Sequence, residues 1–561
     1  MKELYFVIIL FISTSSFSQN ITNTLGIGGK FKITDGANEF LTLNQSNGFF
    51  EILNSLQLEN TTSSDKGVLF KGTDRFLHNY GTDNTFLGIN SGNFFLTGSY
   101  NTAVGVNSLN FNTTGFSNTA VGLNSLFNNT SGSLNTSVGM NSLYFNTVGT
   151  ANTAIGQLSL YLNRIGSGNT AIGYSSLRIN STGEYNTALG TQSLYNNNGS
   201  NNTGIGSNTL YSNTFGSDNT ALGNNSLINN TSGDENTAVG SNSLSHNWTG
   251  FQNTAIGGYS LFNNTTGNFN TGTGFTSLFT NSTGSYNTCS GYTSLYTNTT
   301  GHDNTALGSY SMLYNTIGIY NTAIGSSSLS NNTTGQHNTA IGSYSLSGNT
   351  TGTLNTAIGF DAGSNITTGS NNIVLGQNAQ VPNNTLNNQI RIGNTNIGYA
   401  GVQVAWTITS DKRWKSEIVN SNLGLNFISK LNPVSYRRNN DVCHKTEYGF
   451  IAQEVEEVLK ESGIFNSGMI TIDDNGNYEM RYNDLLAPMV KAIQELKAQN
   501  DIMKVETEKL KAENVELRNG DKEIKNRLLE LEQTQNKLAS ELKKFQLKES
   551  IITDVGKGGE K

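Results

Sequence analysis

The sequence predicts a mainly β protein: an elongated β-solenoid or β-roll, then a small α+β domain, then an α-helical coiled coil. Three observations predict it. A 17-residue unit recurs through the middle of the chain, charge is sparse there and concentrated in the last quarter, and a heptad pattern closes the sequence.

Composition sets the frame. The 561 residues include 62 Gly and only 3 Pro, and 13% are charged, about half the usual share of a soluble protein. With 35% hydrophobic residues, large three-dimensional cores cannot run throughout. A net charge of -7 gives no basic footprint, which excludes nucleic acid as an expected partner. Cys289 and Cys443 lie far apart in segments of different composition, so they form neither a disulfide framework nor a metal cluster.

In chain order, Lys2 precedes an apolar run from Leu4 to Ile12 and small polar residues ending at Ser18, the pattern of a signal peptide over 1–18. The run is too short to span a bilayer, and the mature chain is expected to be secreted or at the cell surface with no transmembrane segment. Residues 19–83 alternate, as in Lys30-Phe31-Lys32-Ile33 and Phe49-Phe50-Glu51-Ile52, and read as a β-rich N-terminal region.

From residue 84 to 380 run eighteen units, each beginning with Asn, from Asn84 to Asn372. They are spaced by 17 residues except for one 16-residue step from Asn186 to Asn202. The consensus is N-T-A-(I/V/L)-G-x-x-S-L-x-x-N-x-T-G-x-x. Position five is always Gly, position four is aliphatic except at Thr273 and Ser290, and position nine is usually Leu. Two apolar sites among Gly, Asn and Thr suit one solenoid coil of two short strands and two tight turns; this density of Gly, Asn, Thr and Ser excludes helices. Eighteen coils at ~4.8 Å would make a rod on the order of 85 Å. One coil covers little apolar area for its length, which favours side-by-side association of chains.

Strand alternation places Thr at position two with the aliphatic residue at position four, expected to face the core, and Ala at position three outside, where it would allow neighbouring chains to approach. The recurring Thr also resembles the ladder of ice-binding solenoids, a reading that burial of Thr would disfavour. Regular Asp, which calcium-binding repeats need, is lacking, and the Asn-x-Thr/Ser sequons follow from the repeat itself. Phe94-Phe95 in the first unit, and Gly363 and Gln380 in place of Leu in the last two, mark caps. The units resemble the head repeats of trimeric autotransporter adhesins, although those are usually shorter.

Residues 381–409 contain two apolar stretches, Gln389 to Gly393 and Val402 to Trp406, and read as a β connector. Composition then changes: the 293 residues from Asn84 to Gly376 carry 8 charged side chains, and the 152 from Ser410 to Lys561 carry 50. Four ordered motifs follow: Ser410-Asp411-x-Arg413-x-Lys415-x-x-Ile418, Leu431-Asn432-Pro433-Val434-Ser435-Tyr436, Tyr448-Gly449-Phe450-Ile451-Ala452-Gln453-Glu454-Val455, and Tyr482-Asn483-Asp484-Leu485-Leu486. Residues 406–505 thereby resemble the endosialidase-type intramolecular chaperone peptidase domain that ends phage tail spikes and fibres. The resemblance implies a domain over 410–484 that trimerises, templates the β-rich stalk before it and then cuts itself off. Ser410 would be the nucleophile, Lys415 its partner and the Thr409–Ser410 peptide bond the target. A hydroxyl needs a base, and Lys serves only when burial favours its neutral form. The family's His before Gly-Phe is replaced by Glu447-Tyr448, and His444 is assigned no role.

Over 485–547 an apolar heptad position runs through Met489, Leu496, Met503, Leu510, Leu517, Ile524, Leu531, Leu538 and Phe545. The other core position is mixed, with Asn500, Asn514 and Asp521 among apolar residues, which suits a coiled coil of fixed register; residues 548–561 read as a disordered tail. The pattern indicates an oligomer, and the family resemblance makes it a homotrimer. The expected protein is an exported, adhesin-like fibre that recognises a surface receptor or glycan. Its only enzymatic activity would be one self-cleavage by a Ser-Lys dyad, with no cofactor and no metal. The alternatives are a phage-derived tail fibre and an ice-binding solenoid.

Overall fold

The structure, a computed structural model, describes residues 30–35, 38–44, 49–52, 58–64, 66–404, 406–439 and 444–553. The expected signal peptide, Cys443 and the last eight residues lie outside them. The chain divides into two compact units, 1–302 and 303–561; thirteen of the eighteen repeats begin in the first and five in the second.

In the first unit, strands Lys30–Asp35, Asn38–Asn44 and Phe49–Ile52 form an antiparallel sheet. A hairpin of Leu69–Lys71 and Asp74–His78 then pairs antiparallel with the first solenoid strand, Thr85–Leu87. From there each repeat contributes one three-residue strand, parallel and in register with its neighbours: Thr102, Ala103 and Val104 face Thr119, Ala120 and Val121. The β-solenoid of 17-residue repeats is therefore present, and it continues in the second unit from Thr305–Leu307 to Ile390–Ile392.

Two expectations about the coil are corrected. Ala at position three faces the core, fully buried from Ala103 to Ala357, whereas the aliphatic residues at position four are exposed or half-buried. Thr at position two lies outside with them. Size decides this orientation: Leu at position nine already fills most of the narrow interior, leaving room for a methyl group opposite but not for a branched side chain. The end units demonstrate the compensation. In the first, Phe86 replaces Ala and Gly92 replaces Leu, and a Cβ on Gly92 would lie 2.6 Å from the Phe86 ring. In the seventeenth, Gly363 replaces Leu while Ile366 takes the place of Asn at position twelve and is fully buried. Buried Cys289 likewise pairs with Gly272 where neighbouring coils have Ala.

The second correction is that each coil has one strand rather than two. The Leu segment is a chain of turns whose amides bond to the next coil, as in Leu126 N to Ser142 O at 3.1 Å. Leu126 has φ 50°, a left-handed conformation costing a non-Gly residue about 1–2 kcal/mol; burial of the side chain gains about 1.5–3 kcal/mol and outweighs it. Gly at position five meets a stricter constraint. Gly122 has φ 129°, and a Cβ there would lie 2.7 Å from the carbonyl oxygen of Gly139.

Two buried Asn ladders complete the interior. At position one, Asn118 Nδ2 donates to Gly132 O at 2.8 Å and to Asn101 Oδ1 at 3.1 Å. At position twelve, Asn129 Nδ2 donates to Asn112 Oδ1 at 2.8 Å. Both ladders satisfy turn carbonyls that no strand partner reaches.

Beyond the solenoid, α1 (Leu425–Ile428), a two-stranded sheet of Val434–Tyr436 and Glu447–Gly449, α2 (Ala452–Glu461) and a hairpin of Ile470–Ile472 with Tyr478–Met480 precede α3, Leu486–Thr553. The second connector stretch, around Val402 to Trp406, has no strand among its described residues. Among the described residues no helix is long and apolar enough to cross a membrane.

Candidate functional site: the Ser410 turn and its supporting domain

The small domain packs around Phe427, Leu431, Val455, Leu459, Met469 and Leu485. Three of the ordered sequence motifs contribute to this core, beside Phe427, Leu459 and Met469 from outside them. Leu431 comes from the second, Phe450 and Val455 from the third, and Leu485 from the fourth. Their polar members join the motifs to one another: Phe450 N donates to the Tyr482 hydroxyl at 3.2 Å. A Cβ on Gly449 would lie 2.4 Å from that hydroxyl and 3.3 Å from the Tyr436 ring, so a side chain there would push the Tyr482 hydroxyl out of its contact. Burial and the neighbouring Tyr482 push the Tyr436 hydroxyl pKa upward. Glu495, on α3, accepts from Leu425 N at 2.7 Å and supplies α1 with the cap that Gly424 cannot.

The hairpin also meets the last coil of the solenoid. Asp474 accepts from Asn383 Nδ2 at 3.0 Å and from Asn384 N at 2.8 Å, and its own amide donates to Pro382 O at 2.8 Å. Arg391 pairs with Glu479 at 2.7 Å.

Ser410 and Lys415 are brought together: Lys415 Nζ donates to Ser410 Oγ at 2.6 Å. A short 3-10 turn, Lys412–Trp414, makes the contact possible. Asp411 caps that turn by accepting from Arg413 N at 2.8 Å, and grips the Arg413 guanidinium at 3.1 Å through Nε and 2.7 Å through Nη2. The guanidinium holds the Asp411 carboxyl below the usual carboxylate range. Sequence reasoning named the dyad and missed this brace, although Asp and Arg two residues apart beside the Ser were its signal. His444 is exposed and has φ 52°. Ser410 and Lys415 are exposed too, in a segment whose large apolar side chains, Trp406, Ile408 and Trp414, are also exposed.

A β-solenoid leading into a small α+β domain with a long terminal helix fits a fibre-type protein. Residues 410–464 match the family described as chaperone of endosialidase; the matched segment begins at Ser410 and spans the first three motifs. No curated protein and no solved structure matched the chain.

Proposed function

We propose that the chain is an exported homotrimeric fibre of the tail-fibre or adhesin type, with the β-solenoid as shaft. In this reading the C-terminal domain templates the last coil, trimerises through α3 and releases itself by cutting between Thr409 and Ser410. The eventual role is recognition of a surface receptor or glycan.

The observation that carries the reading is the 2.6 Å contact between Lys415 Nζ and Ser410 Oγ at the first residue of the matched family segment. A neutral Lys415 takes the Ser410 proton and Oγ attacks the carbonyl carbon of Thr409. The Thr409–Ser410 C–N bond breaks, its nitrogen is protonated to become the new N-terminus, and Thr409 is left as an ester on Oγ. Water then hydrolyses the ester, giving the Thr409 carboxylate and restoring the hydroxyl. Desolvation favours the neutral amine; association of chains over Trp406, Ile408 and Trp414 would supply it and couple cleavage to assembly. The Asp474 and Glu479 contacts to the last coil support the templating role. The test is intact-mass measurement of the purified full chain and of Lys415→Met. Wild type should yield a fragment beginning at Ser410, and the variant should stay uncut; a wild type that stays whole refutes the cleavage.

A specific observation also bears on the ice-binding alternative. The Thr ladder faces outward, so burial does not exclude that reading. The ladder beside it is aliphatic rather than a second row of Thr.

A further inference from the structure

We propose that the sheet face carrying positions two and four of the repeat is where copies of this chain associate along the shaft, so that Thr and aliphatic ladders from parallel, in-register copies pack against each other. The proposal rests on the oligomeric-fibre reading above and assigns it a surface, opposite to the Ala face that strand alternation had suggested.

Four features of the solenoid point to this face. First, its position-four ladder is aliphatic without interruption over eleven coils, from Leu87 to Ile256, before Thr273 and Ser290 break it. Eight of those eleven side chains are exposed, from 36% at Val121 to 44% at Leu222, and the rest are half-buried. Together they present on the order of 600 Å² before the Thr methyl groups are added, more than the few hundred Å² a monomer commonly leaves in one patch and close to the ~800 Å² per partner of a standard interface.

Second, charge avoids it. All eight charged residues between Asn84 and Gly376 occupy positions seven, ten, thirteen, sixteen or seventeen of their units, and none stands at position two or four. Solvent-facing strands normally carry charges that block edge and face association; with none at positions two and four, nothing on this face repels another copy.

Third, the face is periodic. Parallel strands in register stack Thr153 on Thr170 and Ile155 on Ile172, which fixes a common repeat for every copy. A second copy in the same register is therefore the one protein surface that matches it coil for coil. Fourth, the aromatic edge of the same coils needs no such partner. Phe127 stacks on Tyr144 at 5.2 Å, Tyr144 on Tyr161 at 5.4 Å, and Arg178 lies between Tyr161 and Tyr195. Those side chains cover one another within the chain, whereas the position-four aliphatics remain open.

The experiment uses the full chain with Cys289→Ala and Cys443→Ser as background. Thr153→Cys, on the proposed face, is compared with Asp218→Cys, exposed at position seventeen, under mild oxidation and non-reducing gels. In-register association puts the same residue of each copy side by side, so Thr153→Cys should cross-link between copies in most of the material while Asp218→Cys remains largely uncross-linked. A second variant, with Ile155, Leu189 and Leu222 each changed to Lys, should leave an oligomer by sizing but abolish the Thr153→Cys cross-link. An oligomer in which Asp218→Cys cross-links and Thr153→Cys does not overturns this face alone. A chain that sizes as a monomer overturns the fibre reading with it, and thermal hysteresis from such a monomer would assign the face to ice.

Discussion

Asn118 donates twice to the same oxygen one coil away: its backbone amide reaches Asn101 Oδ1 at 3.0 Å and its side-chain amide reaches it at 3.1 Å. The Asn118 oxygen in turn accepts from Asn135 N and Nδ2. Each Asn is both partner and template for the next, so the ladder fixes register as well as satisfying the turn. Asn118→Ala strands the backbone amide of Asn135, at about 1–3 kcal/mol for a buried group left unpaired, and takes one of two donors from the Gly132 carbonyl, which keeps Asn129 Nδ2 at 2.9 Å. We expect the full chain to unfold at lower temperature by calorimetry. Asn118→Asp should be worse at neutral pH than in acid, since a buried carboxylate facing carbonyl oxygens is relieved by protonation.

The exchange of Gly363 and Ile366 for the usual Leu and Asn predicts a non-additive pair. Gly363→Leu alone forces a second large side chain towards Ile366, Leu346 and Val374, and overpacking of this kind costs about 1–3 kcal/mol. Ile366→Asn alone leaves a cavity. The double variant restores the consensus and should recover most of the loss, which a double-mutant cycle of denaturant midpoints will measure.

His78 makes the N-terminal cap sensitive to acid. It is buried against Phe86 and Phe94, with Nε2 2.8 Å from Ser91 O. Burial, more than the nearby Arg75, lowers its pKa from 6.5 to about 4. The folded state therefore binds the proton less readily than the unfolded state. Its contribution is complete above about pH 6.5 and declines as pH falls towards about 4. His78→Gln should flatten that part of the profile, followed by melting temperature between pH 7 and 4.

These features were legible in the sequence to different degrees. The coil and its glycines were legible because an invariant Gly at a fixed spacing reports a backbone constraint. The facing of the strand was not, since alternation over three residues admits two orientations and hydrophobicity chose the wrong one. The deciding quantity was volume in a narrow interior, visible in hindsight in Phe86 with Gly92. The left-handed Leu at position nine was hidden because its conformation runs against its own preference and is set by burial. In the small domain, Ser410 and Lys415 were legible by resemblance, but the Asp411–Arg413 brace appears only once the turn is built.

That brace predicts a kinetic effect. Arg413→Gln removes the bidentate contact that holds the turn, and the rate of fragment appearance in single-turnover conditions should fall by roughly 10-fold, the scale expected for lost orientation of reacting groups. Arg413→Lys keeps the charge without the fork and should restore part of the rate. The pH dependence of the remaining cleavage should be unchanged, because Ser410 and Lys415 still perform the proton transfer.

Self-release of an oligomeric shaft is tested most directly by expressing the full chain and Ser410→Ala, followed by denaturing gels and sizing under native conditions. Wild type should separate into a shaft and a fragment spanning 410–561, with the shaft oligomeric, and Ser410→Ala should remain one full-length, oligomeric chain. Release of the same fragment from Ser410→Ala, or a wild type that stays whole and monomeric, would contradict it.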